Sequence, residues 1–566
     1  MQNKHKTIFW VGLAVFFLIN LVTSIVLEPH MDENYYWVYS RFPAWGYFDH
    51  PPMVAWLIRA GQTIFPDFLG MRFLFVVLSA LTFLIVWELT RKYYDNALLY
   101  WLIVMSVAMF IPYTLVAVPD VPLLFFTALF LLIYREFLEK DSPGLAVLLG
   151  IAAAGMVYSK YHAFLVLLLV VISNIRVLRN WKMWMAGVLA LLLLVPHFYW
   201  QYSEGFPSFR YHLVDSHKTA YKFEVTLSYM INQIVLTGPF IGWFLLFAAA
   251  KARVTGEFGR TLKFIFLGVF LFFLMVTFGG DIEPHWALAG YLPMVVLAMA
   301  YLGKYPRWKP MVMKIAVFGS ILTLIIRIVV LSIGPKSEIP FLVRYFNNLN
   351  DKRNIYEKAG DIPVVFQDTY FTAAAYAHAN DMAEETFHMA PGFSRYTQYD
   401  IYPIEEWLQD KPVMYVTRDS TFLKGDQMKI TGGKNIWYAR KIEQFRSFNM
   451  LEVTIRDTWV SKNGRTLRVD SVSIYNPYDR KLELVSGSSF SGHLQCYRKG
   501  RRKWDLVGSV DLPDIYIEPR QQITLTGIHL EITGEVSSEP WDYFIGLSTG
   551  FFLPVHSGLI KTFAFN

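Results

Sequence analysis

The chain has 566 residues, of which 54% are hydrophobic and 17% aromatic, and its mean hydropathy is +0.33. Soluble proteins usually fall below zero on this scale, so the composition predicts that much of the chain lies in lipid. The net charge of +7 does not require a nucleic-acid partner, because Lys and Arg collect on the cytoplasmic side of membrane proteins. The single cysteine, Cys496, excludes an intramolecular disulfide and a cysteine-based zinc site.

Eleven apolar segments in the first 333 residues approach or reach the roughly twenty residues that a membrane span requires. They are 8–27, 69–89, 97–117, 121–138, 143–159, 161–177, 182–202, 227–250, 262–279, 286–303 and 310–333. The first is too long for the apolar core of a signal peptide, and no A-x-A cleavage site follows it, so we expect it to be retained. The pattern predicts a polytopic α-helical membrane protein.

The linkers between these segments alternate between rich and poor in Lys and Arg. The rich set includes residues 91–92, 176–182, 251–263 and 304–309. The positive-inside rule places this set in the cytoplasm. The N-terminus is therefore expected inside, and everything after about residue 334 is expected outside.

The opposite face, poor in basic residues, receives ionisable groups from six separate loops or helix ends. They are His30, Asp32, Glu33, Asp49, His50, Asp120, Lys160, His212, Asp215, His217, Asp281, Glu283 and His285. A transporter would tend to place such groups near the bilayer midplane on broken helices, of which the sequence shows little sign. A cluster at one interface favours a membrane-embedded enzyme with an outward-facing site.

Asp32 and Glu33 directly follow the first apolar segment. Adjacent carboxylates at the end of a membrane helix are costly unless water, a metal or a substrate uses them. One of them could cap the surface helix expected over 31–41. A carboxylate that faces a water-filled pocket could instead take a proton from an acceptor hydroxyl as a general base. A second surface helix is expected over 53–65.

Three further motifs allow both a structural and a functional interpretation. Asp49 and His50 precede two prolines and could close a turn or bind a divalent ion such as magnesium, manganese or zinc. Asp120 lies between two prolines and could cap a helix or be a fixed site residue. Lys160, between two apolar runs, could snorkel to the interface or neutralise a phosphate.

Two later loops bring more candidates. His212 and His217 lie after the seventh span, where they could be ordinary loop histidines. Glu283 and His285 open the tenth span, where they could be caps or pocket residues. The sequence contains no Walker loop, no G-x-G-x-x-G followed by a helix and no nucleophile elbow. These absences argue against nucleotide sugars and ATP as direct substrates and favour a donor anchored in the bilayer.

The rest of the chain is polar and contains no apolar span. Strand and helix patterns alternate up to about residue 445, which predicts a small extracytoplasmic α/β domain over 334–445. Period-two alternation with turn residues then predicts an extracytoplasmic β-sandwich-like domain over 446–566.

Several motifs together resemble the GT-C glycosyltransferases, specifically bacterial family 39 enzymes related to dolichyl-phosphate-mannose–protein mannosyltransferases. The lipid A aminoarabinose transferases are relatives of this group. The motifs are DENYYW at 32–37, WGYFDHPP at 45–52, Arg72, VPDVP at 118–122, YSKY at 158–161 and EPHW at 283–286. The resemblance covers about residues 1–333 and implies a GT-C transmembrane catalytic domain there.

The resemblance implies a polyprenyl-phosphate sugar donor and inversion at the anomeric carbon. Asp32 looks like the base that deprotonates the acceptor, with Glu33 in support. Asp120 matches a second acidic position near both substrates. Lys160, with Arg72, is implied to face the donor phosphate.

The resemblance also implies a divalent metal, magnesium, manganese or zinc, shared by Asp49 and His212. The remaining implied pocket residues are Tyr36, His50, Glu283 and His285. His50 stands where relatives often carry Lys, so the local charge differs from the family pattern.

The sequence therefore predicts an integral-membrane glycosyltransferase of the bacterial cytoplasmic membrane. It would move a sugar from a polyprenyl-phosphate donor to an extracytoplasmic acceptor, which could be a protein hydroxyl, lipid A or another glycan. One alternative is a transporter or flippase of lipid-linked saccharides. Another is an assembly protein whose β-rich tail recruits a partner.

Overall fold

The computed structural model describes residues 2–212, 221–280, 282–333, 349–367, 369–418, 427–432, 435–460, 466–488, 490–500, 504–533, 541–550 and 558–563. The chain divides into two compact units, Met1–Asn347 and Asn348–Asn566. The first unit is helical, and the second is rich in β-strands.

Helices α1 to α15 build the first unit. They are α1 Gln2–Val26, α2 Met31–Arg41, α3 Met53–Gln62, α4 Asp67–Thr90, α5 Ala97–Ser106, α6 Asp120–Lys140, α7 Pro143–Ser159, α8 Ala163–Ser173, α9 Trp181–Ser203, α10 Pro207–Arg210, α11 Phe223–Thr237, α12 Gly242–Lys251, α13 Gly256–Val276, α14 Tyr291–Lys304 and α15 Lys309–Ile333. Short 3-10 helices lie at Ala108–Phe110, Pro112–Thr114, Ile175–Arg179, Pro284–Gly290 and Pro306–Trp308.

Seven helical stretches in the described part of the chain are long and apolar enough to cross a membrane. They are His5–Val26, Asp67–Thr90, Asp120–Lys140, Trp181–Ser203, Gly256–Val276, Pro284–Lys304 and Pro306–Ser332. The bent pair α11 and α12 makes an eighth if it is one span. The other three predicted spans fall on the shorter apolar helices α5, α7 and α8. The prediction of a polytopic helical membrane protein is confirmed.

Two of the predicted spans are interrupted. In the segment 97–117, the helix ends at Ser106 and two 3-10 turns follow. In the segment 227–250, the axes of α11 and α12 differ by 94°. Gly238 at that break has a φ of +137°, which favours glycine, and the proline that follows it lacks an N–H for a helical hydrogen bond. The expectation that the chain has little broken helix is therefore wrong at this position.

Helix α2 is embedded in the fold and carries the first candidate residues. Residues 33–40 are all buried, so α2 has no long exposed face. The ring of Tyr39 on this helix stacks on Tyr47 at a centroid distance of 4.2 Å. The Tyr47 hydroxyl donates to the carbonyls of Tyr39 and Phe42 at 2.9 and 3.0 Å. These contacts fix the loop after α2 against the helix.

The second unit contains α16 Leu349–Ala359, α17 Tyr370–Asn380 and α18 Ile404–Leu408 together with fourteen strands in its described residues. The strands are β1 Val364–Phe366, β2 Thr386–His388, β3 Val413–Thr417, β4 Met428–Gly432, β5 Asn435–Ile442, β6 Glu452–Val460, β7 Thr466–Tyr475, β8 Leu482–Leu484, β9 Gly492–Lys499, β10 Trp504–Asp511, β11 Ile515–Ile517, β12 Gln522–Glu531, β13 Trp541–Thr549 and β14 Gly558–Phe563.

Strands β1 to β5 form one mixed sheet in the order β2-β1-β3-β5-β4, with β1 parallel to both β2 and β3. The later strands form antiparallel sheets in the orders β10-β9-β13-β14, β12-β7-β6 and β11-β8. Alternating apolar residues from these sheets, including Val469, Leu494 and Ile545, share one buried core. A β-rich C-terminal region is therefore present.

Candidate active site

Glu33 is sealed inside the protein. It is the third residue of α2, and its carboxylate accepts the main-chain N–H of His30 at 2.9 Å, which closes a capping box. The same carboxylate accepts from the N–H of Ala117 at 2.8 Å. The side chain has no exposed surface. Burial opposes its ionisation, but the adjacent Arg72 guanidinium outweighs burial and lowers the pKa of Glu33 below its ordinary value.

Arg72 in α4 is the ion-pair partner of Glu33. Its Nε and Nη2 donate to the two carboxylate oxygens at 2.7 and 2.5 Å. Nη1 donates to the carbonyls of Ser24 and Leu27, and Nη2 also donates to the carbonyl of Glu28. A guanidinium has five N–H groups, and this one is fully buried with five acceptors. The structure therefore contradicts the assignment of Arg72 to the donor phosphate, because its donors join α1, α2 and α4 instead.

Asp32 lies one residue before Glu33 but has a different environment. Its side chain is 38% exposed. His30 Nδ1 lies 3.3 Å from both the main-chain nitrogen and the carboxylate of Asp32. Burial opposes ionisation, but the neighbouring His30 outweighs burial and holds the pKa of Asp32 below its ordinary value. Asp32 is thus an ionised, accessible carboxylate that can accept a proton.

Asp120 and Lys160 form a second buried ion pair. Asp120 opens α6, and Lys160 follows α7. Lys160 Nζ lies 2.8 Å from each oxygen of the Asp120 carboxylate. The side chains are 5% and 7% exposed. Lys160, the residue predicted to bind the donor phosphate, therefore contacts a carboxylate in this structure. Its ammonium has three N–H donors at the end of a flexible side chain, so it can turn toward another acceptor.

His50 and His285 are both near the carboxylates of Asp32 and Asp120. Protonation of either histidine would favour the ionised forms of both Asp32 and Asp120. Burial lowers the pKa of His50 to about 4; the charge of Asp49 opposes this fall and that of Lys160 adds to it. His50 is therefore a neutral imidazole at physiological pH. Five side chains from separate segments of the chain thus lie in one region. They are Asp32, His50, Asp120, Lys160 and His285.

Asp49 and His212 are adjacent, as the predicted metal site requires. The Tyr39 hydroxyl donates to the Asp49 carboxylate, and His212 Nε2 bonds the Asp49 main-chain carbonyl at 3.1 Å. A carbonyl oxygen only accepts, so Nε2 carries the proton and Nδ1 of a neutral ring has the lone pair that a metal would use. The two side chains are chemically compatible with a metal. Within the described residues, no group of three or more His, Cys, Asp or Glu side chains could hold one.

Of the remaining predicted pocket residues, Tyr36 lies beside His50, whereas Glu283 is exposed. The ring of Tyr36 is buried and lies edge-on to His50, with centroids 5.4 Å apart. Glu283 is exposed, and its carbonyl accepts from the N–H of Trp286. Asp215, His217 and Asp281, which the sequence also assigned to this face, lie outside the described residues.

The sequence reasoning misses two tyrosines at the site, Tyr39 and Tyr113, and it places His30 on this face without its capping role. His30 caps α2 and contacts Asp32. Tyr39 holds the Asp49 carboxylate, and Tyr113 stacks on His285 at 5.2 Å. The spacing of His30 and Glu33 is that of a capping box, which could have identified the cap, although His is not among the usual cap residues. No local pattern identifies the two tyrosines.

Comparison with known proteins identifies a family model and a relative that match part of this chain. A family model described as dolichyl-phosphate-mannose-protein mannosyltransferase matches residues 49–200. The lipid A galacturonosyltransferase RgtD of Rhizobium johnstonii is 24% identical over 298 residues, which is 49% of this chain. The matched region spans 61% of the length of that relative.

Solved structures show the same fold. ArnT from Cupriavidus metallidurans, in its apo state and bound to undecaprenyl phosphate, superposes with a TM-score of 0.56 at 14% identity. The match covers 76% of this chain and 97% of ArnT. The resemblance to GT-C glycosyltransferases is confirmed by the fold and the family model.

Proposed function

From a GT-C fold and a match to the mannosyltransferase family model, we propose that this chain is an integral-membrane glycosyltransferase. It transfers a sugar from a polyprenyl-phosphate donor to an extracytoplasmic acceptor. The named relatives support a glycosyl-transfer reaction, and one ArnT structure contains undecaprenyl phosphate. The acceptor is a protein hydroxyl, lipid A or another glycan.

The observation that carries the proposal is the convergence of opposite charges on one site. An accessible ionised carboxylate, Asp32, lies in the same region as the buried Asp120–Lys160 pair, and His50 and His285 are near both carboxylates. A transfer from a lipid phosphate needs both a base for the acceptor and a cation for the leaving phosphate. This region offers both within one fold.

In the proposed step, Asp32 accepts the proton of the acceptor hydroxyl as its oxygen bonds to the anomeric carbon of the sugar. The bond from that carbon to the phosphate oxygen breaks, and the polyprenyl phosphate leaves with the bonding electron pair. Attack on the face opposite the leaving group inverts the anomeric configuration. Glu33 acts indirectly, because it holds the first turn of α2 and thereby positions Asp32.

Lys160 has the second role. Its ammonium can turn from Asp120 toward the leaving phosphate, where it balances the growing negative charge. Asp120 then holds Lys160 in place when the donor is absent and keeps the buried cation compensated. Arg72 is left out of this step, because its five donors are already engaged.

A divalent ion at Asp49 and His212 belongs to the proposal as a second component. When bound, the ion would supply positive charge near the leaving phosphate. Chelation followed by transfer assays tests this component. Transfer should fall and return on adding zinc, manganese or magnesium, and His212→Ala should remove the response. Full activity after exhaustive chelation would exclude the ion.

The proposed location is the bacterial cytoplasmic membrane, with the N-terminus in the cytoplasm and the site and second unit on the outer side. The distribution of Lys and Arg among the linkers supports this orientation. Cysteine labelling with a membrane-impermeant reagent tests it. Single cysteines at Glu283 and Lys309, in a Cys496→Ala background, should react from outside and inside respectively.

The deciding experiment is a transfer assay. Purified protein is incubated with radiolabelled polyprenyl-phosphate sugars and extracts of its own cells, and the fractions are separated. Label should move to a protein, lipid A or glycan fraction. The flippase alternative predicts label that stays on the polyprenyl carrier and only changes leaflet in vesicles, and that result would overturn the proposal.

A further inference from the structure

An apolar groove with one cation in its lining lies between α1, α5 and α15. It encloses about 230 Å³. Phe16, Val104 and Leu324 are among its apolar walls, and Arg327 contributes the charge. The segment that joins α5 to α6 faces both this groove, through Thr114, and the catalytic region, through the stacking of Tyr113 on His285.

Among the residues that the structure describes, Arg327 makes one short hydrogen bond and two longer contacts. Nη1 donates to Asn20 Oδ1 at 2.8 Å, but its contact with Thr23 Oγ1 is 3.5 Å and that of Nη2 with the Ile111 carbonyl is 3.4 Å. Asn20 is fully buried, and its Nδ2 meets no acceptor among the residues that the structure describes. A half-buried guanidinium and a buried amide therefore both present hydrogen-bond donors at one place.

Such a combination inside a membrane span calls for a ligand. Ionisable side chains in spanning helices are rare and normally have a partner, because lipid cannot solvate them. A buried amide N–H without an acceptor is likewise destabilising. A ligand for this place would be negatively charged and would accept several hydrogen bonds. A phosphate matches a guanidinium in both geometry and charge.

The depth of these residues matches a phosphate at the bilayer surface. Asn20 lies six residues before the end of α1 at Val26, and Arg327 lies six residues before the end of α15 at Ile333. At a rise of about 1.5 Å per residue, both are roughly 9 Å from their helix ends. With the helix ends at the surface of the bilayer, this distance would place both residues near the boundary between head groups and hydrocarbon, beside the apolar groove.

We propose that the groove holds one hydrocarbon chain of an anionic phospholipid of the surrounding bilayer, with Arg327 and Asn20 bound to its phosphate. Only 28% of the α1 span and 17% of the α15 span is buried inside the protein, against 67% for Asp120–Lys140, so bilayer lipids have direct access. The inference concerns lipid binding alone and does not depend on the proposed reaction.

The test measures lipid binding rather than transfer. Full-length protein in phosphatidylcholine nanodiscs with increasing phosphatidylglycerol is followed by its melting temperature. The melting temperature should rise and saturate. Arg327→Gln should weaken the apparent affinity about tenfold, as loss of a charge-assisted hydrogen bond implies. Leu324→Trp, which fills the groove and keeps the cation, should weaken it as well, whereas Ile328→Trp on the exposed face of the same helix should not.

Two outcomes would overturn the inference. Wild-type response in both Arg327→Gln and Leu324→Trp would exclude the groove as the lipid site. A rise with polyprenyl monophosphate that phosphatidylglycerol does not produce would assign the groove to the prenyl carrier instead. Should Arg327→Gln fail to fold, Leu324→Trp still decides the question. Loss of glycosyl transfer in any variant has no bearing on this binding measurement.

Discussion

The protein contains two buried ion pairs, Glu33–Arg72 and Asp120–Lys160. They differ in how many hydrogen bonds the cation makes to the rest of the fold. Glu33 and Arg72 have no exposed surface, and Arg72 makes five hydrogen bonds. Within the described part of the chain, Lys160 donates only to the two Asp120 oxygens, and both side chains retain a small exposed fraction. A saturated pair has no donor to offer a substrate, whereas an unsaturated pair can exchange its partner. This difference supports a structural role for Arg72 and the proposed phosphate contact for Lys160.

The largest effect is expected from breaking the saturated pair. Arg72→Met leaves the Glu33 carboxylate buried without its cation, which should cost about 3–5 kcal/mol of unfolding free energy. Thermal melting in detergent, with size-exclusion recovery, measures this loss. Arg91→Met is the matched control, because its pair with Glu88 is exposed and should contribute less than about 1 kcal/mol. Equal melting temperatures for both variants would contradict the structural role of Arg72.

An intermediate effect is expected from the unsaturated pair. Lys160→Ala should raise the KM for the polyprenyl-phosphate donor roughly tenfold to a hundredfold, as loss of charge-assisted hydrogen bonds implies. Initial rates over a range of donor concentrations measure it. Lys182→Ala, which breaks an ion pair with the exposed Asp141, should leave KM unchanged. An unaltered donor dependence in Lys160→Ala would count against a phosphate contact.

The smallest effect is expected from pH. A base is active above its pKa and is lost as the pH falls through it, and the pKa of Asp32 lies below its ordinary value. His50, with a pKa of about 4, stays neutral at higher pH. Between about pH 5 and 8, where an ordinary histidine titrates, neither group should change charge and kcat/KM should stay flat. An inflection near the ordinary histidine value that disappears in His50→Gln would contradict this assignment.

Much of the fold could be predicted because it follows from local patterns. The helix Met31–Arg41 and the spans Asp67–Thr90 and Asp120–Lys140 lie within a few residues of their predicted ranges. The break at Gly238 also had a local signal, a Gly-Pro pair, which a continuous apolar run concealed. Apolar periodicity identifies a span but not its straightness.

The candidate site could be predicted only as a set of residues. Arg72 meets Glu33 across 39 positions, and Lys160 meets Asp120 across 40. Which carboxylate pairs with which cation depends on helix packing, so one motif contains both a sealed residue and an accessible one. A family resemblance identifies which positions carry candidate residues. Contacts with residues that are distant in the sequence decide whether Arg72 binds a phosphate or a neighbouring helix.

The most direct test compares the two adjacent carboxylates of α2. Asp32→Asn and Glu33→Gln are measured for transfer from a polyprenyl-phosphate sugar and for melting temperature. Asp32→Asn should lower transfer at least about a hundredfold with an unchanged melting temperature, since a general base contributes that much and this side chain is partly exposed. Glu33→Gln should lower the melting temperature. Full transfer in Asp32→Asn, with folding intact, would contradict the account.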